Sequence, residues 1–400
     1  MVETPPSFDL VVVGAGGGPS EANLSGYLLK THEKSWSDGI VGIEAGSGLG
    51  ALRRILQENP KLFSSSADGE SGLDAGQVYS ALRTYLISHA HLDHVMSLIL
   101  LAGSMDGKRK SVRGSRKCLE DIDTIFNPHR IWPNLASWDA DDAEHLYLYD
   151  PLPDNTDAYT PLHGDLSVRM FPINHGVGCE EYFSSAFFIR HDISSREFLF
   201  FGDVEPDILS SQPRTKDVWL AAAPKIVSGL LDTIFIECSW PAGRPDERLY
   251  GHLSPEHLVK ELETLATAII SFRNKVGNAH TGPNAPINSS SRKRASSDAS
   301  PERKRSKHSQ TASNGTGTVL HGSLEGITIY IIHCKEDMEG KFAGRPMHSV
   351  ISEHVRSLVE EKGLGATILA AAQGDLIRMY SVHVLRVMWV TDNRQHRAEI

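Results

Sequence analysis

Short apolar runs alternate with longer amphipathic stretches through most of this sequence. Runs rich in Val, Ile and Phe that stop at a glycine or a polar residue predict buried strands at 8–13, 40–44, 85–88, 167–173, 185–190, 197–201, 233–237 and 327–332. Apolar spacing predicts helices at 50–60, 95–101, 215–228, 255–273 and 349–361. Strands come first in each half, with helices between and after. This order favours an α/β protein with two layers of sheet covered by helices, a four-layer αββα sandwich.

Residues 276–323 interrupt the pattern. Asn, Ser, Pro, Gly, Thr, Lys and Arg dominate this segment, and large apolar residues are almost missing until Val319. Such a composition cannot bury enough surface to offset the entropy that is lost on ordering. We therefore expect one domain over 1–400 that carries a disordered basic, Ser-rich insertion at 276–323.

Charge is distributed unevenly between this insertion and the rest of the chain. Residues 292–307 carry a net charge of +5, so the remainder carries −15 within a total of −10. An acidic body is a poor partner for RNA or DNA, whose binding needs a basic surface. A small charged substrate at a metal site stays possible, because bound cations reverse the local field.

The sequence offers no sign of a membrane span or of secretion. No stretch reaches 18 consecutive apolar residues, and the start of the chain, with Glu3, Pro5 and Pro6, does not resemble a signal peptide. The four cysteines lie far apart, at Cys118, Cys179, Cys238 and Cys334, and form no C-x-x-C pair. Reduced thiols in an intracellular setting fit this spacing, so we expect a cytoplasmic location.

The strongest chemical signal is the run Ser88-His-Ala-His-Leu-Asp-His94. Alternate residues of an extended segment point the same way, so His89 and His91 can bind one ion together. Asp93 and His94 fall at the start of the next predicted helix and point elsewhere, towards a second ion. Imidazole and carboxylate ligands suit Zn²⁺, with Fe and Mn as alternatives.

Three further candidate ligands each come directly after an apolar strand. They are His175, Asp203 and His333. A single histidine is more often a structural group than a ligand. However, groups that follow strand ends converge at one rim of a sheet, and their order after the histidine cluster favours metal ligation.

His252 is a candidate for acid–base chemistry. It lies between the strand at 233–237 and a helix for which Ser254 looks like the N-cap and Pro255 the first residue. A histidine near metals could donate a proton or hold a phosphate oxygen, and Glu237 could orient it. The alternative is an ordinary surface histidine in a capping region.

With these residues the chain resembles the class II cyclic-nucleotide phosphodiesterases of fungi, within the metallo-β-lactamase superfamily. The resemblance covers roughly 8–272 and 325–385. Four motifs carry it: the glycine-rich run Gly16–Leu29, His89-x-His-Leu-Asp-His94 with Val-x-Ser97, Ile131-Trp-Pro-Asn-Leu135, and Gly251-His-Leu-Ser254. Two positions depart from the family pattern. Ala102-Gly103 replaces a Ser-Ala or Ser-Pro pair, and Glu44 stands where the turn usually has Asp. We expect neither position to touch a proposed ligand.

The resemblance implies a metallo-β-lactamase fold and the hydrolysis of 3′,5′-cyclic AMP to 5′-AMP, with cyclic GMP as a second candidate substrate. It assigns two divalent ions, of which Zn²⁺ is the expected kind. It also assigns the ligands: His89, His91 and His175 for one ion, Asp93, His94 and His333 for the other, and Asp203 as the bridge. His252, backed by Glu237, would protonate the leaving 3′-oxygen, and Asp93 would also accept a hydrogen bond from the nucleophile.

Three rival functions share parts of this pattern. A tRNA 3′-end endonuclease of the same fold has the same ligands and a similar Glu/His pair, but it needs a basic surface that the −15 body lacks. A glyoxalase-type thioester hydrolase would not call for the Ile131–Leu135 motif. A catalytically silent relative that binds a nucleotide would be marked by a lost ligand, and none is lost here.

The insertion suggests regulation. Lys293-Arg-Ala-Ser296 matches the preference of cAMP-dependent protein kinase, and phosphate on Ser296 would reduce the local positive charge. The basic clusters Arg292–Arg294 and Arg303–Lys307 are spaced like a bipartite nuclear signal, which leaves a nuclear location open. The alternative is an ordinary solvated linker. For oligomeric state, a homodimer is the default expectation.

Overall fold

Two β-sheets face each other in the computed structural model, which describes residues 5–64, 72–105, 107–154, 156–178, 180–280 and 320–380. The first sheet has the strand order β15-β1-β2-β3-β4-β5-β7-β6. Its strands are β1 Phe8–Gly17, β2 Leu24–Thr31, β3 Ile40–Ile43, β4 Leu82–Leu86, β5 Lys110–Arg113, β6 Ala136–Ser137, β7 Tyr147–Tyr149 and β15 Leu376–Met379.

The second sheet has the order β14-β13-β12-β11-β10-β9-β8. Its strands are β8 Thr160–Pro161, β9 Leu166–Val177, β10 Glu181–His191, β11 Glu197–Phe201, β12 Leu231–Glu237, β13 Thr328–Ile332 and β14 Thr367–Ala370. Strands β11 to β14 run parallel, and β9 and β10 form a long antiparallel hairpin. Parallel strands bring their carboxyl ends to one edge of the sheet, which is the edge where the predicted ligands follow β11 and β13.

Both faces of the central strands are buried, which explains why they are apolar without interruption. In β1, Leu10 and Val12 lie between the sheets, in the same cluster as Phe198 and Phe200 of β11. The alternate residues Val11 and Val13 belong to the cluster on the outer face of the first sheet. Because successive side chains point to opposite faces, one apolar run supplies two layers of the core.

Helices cover the outer face of each sheet. The helices α1 Leu49–Glu58, α2 Ala75–Ala81, α3 Leu92–Leu101 and α4 Arg116–Phe126 pack on the first sheet. The helices α5 Thr215–Val227, α6 Pro255–His280 and α7 Met347–Glu361 pack on the second. Within the described ranges, no helix is both long and apolar enough to cross a bilayer. The predicted αββα sandwich is therefore confirmed.

Several sequence-based boundaries were wrong. Strand β2 and helix α4 were not predicted, although β2 pairs with both β1 and β3. Strand β4 ends at Leu86 and α3 begins at Leu92, so the histidine motif starts in a loop and ends in the helix.

The residues that the structure describes overlap both ends of the predicted insertion at 276–323. Helix α6 continues to His280, and residues 320–323 form a turn in which Ser323 Oγ donates to the Leu320 carbonyl. Residues 281–319, with Ser296 and both basic clusters, lie outside the described residues.

Candidate metal centre

The seven predicted ligands meet at one rim of the sandwich. His89, His91, Asp93 and His94 follow β4, His175 lies near the end of β9, and Asp203 and His333 follow β11 and β13. Gly202 packs so closely against Ser88 and Ser184 that no larger side chain would fit, which places Asp203 beside the histidine motif. Five of these side chains therefore come from the end of a strand or from the loop after it, and Asp93 and His94 come from the first turn of α3.

The ligating atoms fall into two groups. In each group they all lie within 4.8 Å of one another, and the groups are His89, His91, His175 and Asp203, and then Asp93, His94 and His333. These are the sets that the family resemblance implies, with Asp203 placed in the first. A third group, made of Asp203, His252 and His333, overlaps both.

In the first group Asp203 and two imidazoles point at a common space. Asp203 Oδ2 lies 3.6 Å from His89 Nε2 and 3.4 Å from His175 Nε2. His91 Nδ1 lies 3.2 Å from His175 Nε2. His91 is the exposed member of this group, and its ring stacks on Tyr182 at a centroid distance of 4.7 Å.

In the second group His333 Nε2 lies 3.1 Å from Asp93 Oδ2 and 3.1 Å from His94 Nε2. The other carboxylate oxygen of Asp203, Oδ1, lies 3.3 Å from His94 Nε2 and 3.4 Å from His333 Nε2. Asp203 thus contacts both groups, one oxygen to each, as a bridging carboxylate would.

Hydrogen bonds at Nδ1 fix which nitrogen of each ring faces inward. His175 Nδ1 donates to the Gly251 carbonyl at 2.8 Å, and His333 Nδ1 lies 3.0 Å from Ser239 Oγ. His89 Nδ1 lies 2.9 Å from Ser88 Oγ. In a neutral ring of this kind, Nε2 keeps its lone pair and is free to bind a cation.

Unsatisfied atoms in the centre fit a bound cation. His89 Nε2 and Asp203 Oδ1 are buried and, among the residues described, have no hydrogen-bond partner. The Nε2 atoms of His94 and His333 face each other at 3.1 Å, which is unfavourable for two lone pairs unless a positive charge lies between them. Because a buried polar group without a partner is costly, the residues present suit a metal site.

Burial and neighbouring charges shift the pKa values of the residues in the centre in opposite directions. Burial raises the pKa of Asp203, but the neighbouring His333, His94 and His89 outweigh it, and the net pKa lies well below the ordinary value. Burial is also the largest effect on His175, whose pKa it lowers to about 3. At His94, burial lowers the pKa, but the nearby Asp203 and Glu44 outweigh it and hold the pKa well above the ordinary value. Ionised carboxylates and neutral imidazoles are the forms that bind a divalent cation, so metal binding would release a proton from His94.

The family can now be stated from comparison with known proteins. The family described as cAMP phosphodiesterases class-II matches residues 64–279 of this chain. The chain belongs to the class-II cAMP phosphodiesterases. The predicted family is therefore confirmed.

Relatives and a solved structure agree with this. The chain is 32% identical over 284 residues to the 3′,5′-cyclic-nucleotide phosphodiesterase of Schizosaccharomyces pombe, with 66% of this chain and 77% of that protein covered. It is 32% identical to the 3′,5′-cyclic-nucleotide phosphodiesterase of Aliivibrio fischeri, with 65% and 76% covered. The structure of unliganded yeast PDE1 matches with a TM-score of 0.67 at 22% identity, covering 92% of this chain and 98% of that one. The predicted metallo-β-lactamase type of fold is confirmed, and its His/Asp clusters indicate divalent-metal binding.

In this class-II phosphodiesterase, His252 lies at the edge of the metal centre. His252 Nδ1 is 3.0 Å from Glu237 Oε1 and 3.7 Å from Asp203 Oδ2. Burial lowers the pKa of His252 to about 4 and raises that of Glu237 to about 7. Glu237 also accepts hydrogen bonds from the Val204 amide at 2.7 Å and from Ser239 Oγ at 2.6 Å. The predicted Glu237–His252 contact is present, and it fixes the imidazole with Nε2 free.

Two residues that the sequence analysis did not assign to the site hold ligands in place. Ser239 Oγ joins Glu237 to His333 Nδ1, so one hydroxyl links the two sides of the centre. Glu44 Oε2 lies 3.4 Å from His94 Nδ1, and the Glu44 backbone adopts a φ of +58°. Left-handed backbone at a bulky residue is a costly conformation that the surrounding fold must maintain.

Glu44 could have been found from the sequence. Glu44 is one of the two departures from the family pattern, and the expectation that it touches no proposed ligand is wrong, because it contacts His94. Ser239 gave no such signal, because a serine after a strand is common.

Proposed function

We propose that this class-II phosphodiesterase hydrolyses 3′,5′-cyclic AMP to 5′-AMP at the rim formed by β4, β9, β11 and β13. The observation that carries the proposal is the position of Asp203, which contacts both ligand groups while His252 stands at their edge. The relatives described above are named 3′,5′-cyclic-nucleotide phosphodiesterases. Cyclic GMP is a second candidate substrate.

The metals are proposed to be two Zn²⁺ ions. His89, His91 and His175 would hold one, Asp93, His94 and His333 the other, and Asp203 both. Nitrogen-rich ligand sets with one or two carboxylates suit zinc better than magnesium or calcium. Such ions would act as Lewis acids: they would offset the negative charge of the phosphodiester and lower the pKa of water, so that hydroxide is available near neutral pH.

The chain's own residues would then orient groups and move protons. Glu237 accepts a hydrogen bond from Nδ1 of His252, so the proton that His252 exchanges is the one on Nε2. Because burial lowers the pKa of His252, Nε2 would take up this proton during the reaction before donating it. A protonated Nε2 donates to the 3′-oxygen as that oxygen leaves, which avoids expelling an alkoxide. Asp93, which is partly exposed beside His333, would accept a hydrogen bond from the attacking group.

Purified protein should be assayed with cyclic AMP, cyclic GMP, a pre-tRNA and a thioester, with the metal content measured on the same sample. The proposal expects about two zinc ions per chain and release of 5′-AMP. Release of 3′-AMP would contradict the role of His252 at the 3′-oxygen. A zinc-loaded protein that cleaves only pre-tRNA would replace the proposed substrate with the rival one.

A further inference from the structure

Two loops beside the metal centre carry a group of aromatic and cationic side chains, of which one is exposed and three are half-buried. The loop after β12 supplies Trp240, Arg244 and Tyr250, and the loop after β13 supplies Lys335. We call these four residues the cation–aromatic platform. None of them belongs to the proposed ligands or to the Glu237–His252 pair, so their arrangement needs another explanation.

The platform is built around the guanidinium group of Arg244. Its Cζ atom lies 3.4 Å from the centroid of the Trp240 ring and 5.9 Å from that of Tyr250. Lys335 Nζ lies 5.8 Å from the Trp240 ring and donates to the Gly17 carbonyl at 2.8 Å. Arg244 Nε donates to the Arg248 carbonyl at 2.6 Å. These contacts fix the cations above aromatic faces.

Backbone bonds attach the platform to the catalytic rim. Trp240 follows Ser239, and the Lys335 amide donates to the Ser239 carbonyl at 3.0 Å. Tyr250 precedes Gly251, whose carbonyl accepts the hydrogen bond from His175 Nδ1. Since Tyr250 is two residues from His252, their Cα atoms are at most about 7 Å apart. A ligand that spans about one nucleoside could touch both the rim and the platform.

Tyr250 is the exposed part of this surface. Its side chain is 69% exposed, and its backbone has a φ of +55°. A large aromatic residue that is held in a left-handed conformation and left in solvent contributes little to stability. Such strained, exposed positions cluster at ligand-binding sites, where the fold maintains them.

We propose that the cation–aromatic platform is the binding subsite for the purine base, which stacks on the Tyr250 ring beside the Arg244 guanidinium. Bases stack on tyrosine rings and on guanidinium planes, and an anionic nucleotide is attracted by Arg244 and Lys335. The proposal rests on the proposed function, because it takes a purine nucleotide to be the substrate. It adds the residues that recognise the part of the substrate remote from the phosphate.

Equilibrium binding tests this separately from turnover. Zinc-loaded full-length protein is titrated calorimetrically with 5′-AMP and with ribose 5-phosphate, which lacks the base. The wild type should bind 5′-AMP about tenfold more tightly or better. Tyr250→Ala should weaken the binding of 5′-AMP alone and so bring the two affinities to within about threefold of each other. Tyr250→Phe, which keeps the aromatic ring, should restore most of the difference. Arg244→Ala should give an intermediate loss.

A matched control is Arg190→Ala. Arg190 also lies over an aromatic ring, with its Cζ 3.9 Å from the centroid of Tyr159, but at the far end of β10 from Tyr182. This variant should keep the wild-type ratio of the two affinities. The proposal is contradicted if the Tyr250→Ala protein keeps that ratio, either with both affinities unchanged or with both reduced by the same factor.

Turnover of cyclic AMP distinguishes failure of this proposal from failure of the proposed function. If the wild type hydrolyses cyclic AMP but shows no base-dependent binding through Tyr250, only the platform is wrong. If it binds 5′-AMP through Tyr250 but hydrolyses no cyclic nucleotide, the platform stands and the reaction is wrong.

Discussion

Histidines and carboxylates gather at both ends of β1, but with different consequences. At the end opposite the rim, Asp9 accepts from Lys30 Nζ at 2.8 Å through one oxygen and contacts His32 Nδ1 at 2.8 Å through the other. Nearby, His191 uses both ring nitrogens, one with Ser194 Oγ and one with Glu33, each at 2.8 Å. At the rim, Asp203 has four imidazoles around it at 3.3 to 3.6 Å, yet its Oδ1 atom has no hydrogen-bond partner among the described residues.

This difference in hydrogen bonding shows how a polar cluster that only stabilises the fold can be distinguished from one that binds a ligand. Partners that satisfy each other, such as Asp9 and Lys30, leave nothing for a ligand to supply. Atoms that converge on a shared space without satisfying each other need a further group to offset their desolvation. Both ends contain histidines and carboxylates, so the hydrogen bonds, and not these residue types alone, identify the site.

The largest effect should come from Asp203→Asn. The substitution keeps the size of the side chain but removes the charge that both ligand groups share. We expect loss of bound metal and a fall in kcat of at least about a thousandfold, equal to roughly 4 kcal/mol. Metal analysis and steady-state kinetics with cyclic AMP measure both.

The control for this variant is Asp9→Asn. Breaking a buried ion pair should lower the free energy of unfolding by roughly 3 kcal/mol, with metal content and kcat retained. Loss of metal from the Asp9 variant, or full occupancy in the Asp203 variant, would remove the distinction between the two ends.

A smaller effect is expected for His252→Ala, which removes the proposed proton donor from the rim. The rate should fall by about a hundredfold to a thousandfold, while both metals remain bound, because general acids contribute in that range. His257→Ala is the matched control. His257 lies in the first turn of α6 and bonds Ser254 at 2.8 Å, outside the ligand groups. If His252→Ala also loses metal, then His252 is a ligand, as its grouping with Asp203 and His333 allows.

The sequence was sufficient to locate the candidate ligands that the fold brings together, but not the residues that orient them. His89 to His94 are adjacent in the chain, and His175, Asp203 and His333 follow recognisable apolar strands, so local pattern located them. Ser239 and Glu44 act through tertiary contacts that no local pattern encodes. Strand β2 was missed for a related reason: Leu24–Thr31 contains Gly26 and is buried on both faces, so it shows neither alternation nor a strong β-branched run.

Ser239→Ala tests this orienting layer at the rim. Without the hydroxyl, His333 Nδ1 and Glu237 both lose a partner, and the inward-facing tautomer of His333 is no longer fixed. Zinc affinity should fall by about tenfold to a hundredfold, as for other groups that orient ligands. Competition with a zinc chelator measures it. Ser228→Ala, whose hydroxyl only bonds carbonyls at the end of α5, should leave the affinity at the wild-type value.

The smallest expected effect is the pH dependence of stability caused by a carboxylate that is buried but lies outside the metal centre. Glu261 of α6 is a buried carboxylate away from both clusters, and it accepts from Trp219 Nε1 at 2.9 Å and from the Asp207 amide at 3.0 Å. Burial raises its pKa from 4.5 to about 7. Between pH 4.5 and pH 7, Glu261 is therefore protonated in the folded state but ionised in the unfolded state. The stability that this bound proton contributes is lost as the pH rises through 7.

Replacing this group by Glu261→Gln removes the titration. From pH 6 to pH 8 the wild type should lose about 1 kcal/mol of unfolding free energy that the variant does not lose. Chemical denaturation of both proteins at the two pH values measures the difference, with zinc present throughout so that the rim stays loaded. Parallel pH dependences would mean that the Trp219 and Asp207 hydrogen bonds keep Glu261 ionised, as metals are expected to keep Asp203. Glu261 and Asp203 would then both be ionised although both are buried, so burial would not by itself show which of the two carboxylates binds a metal ion.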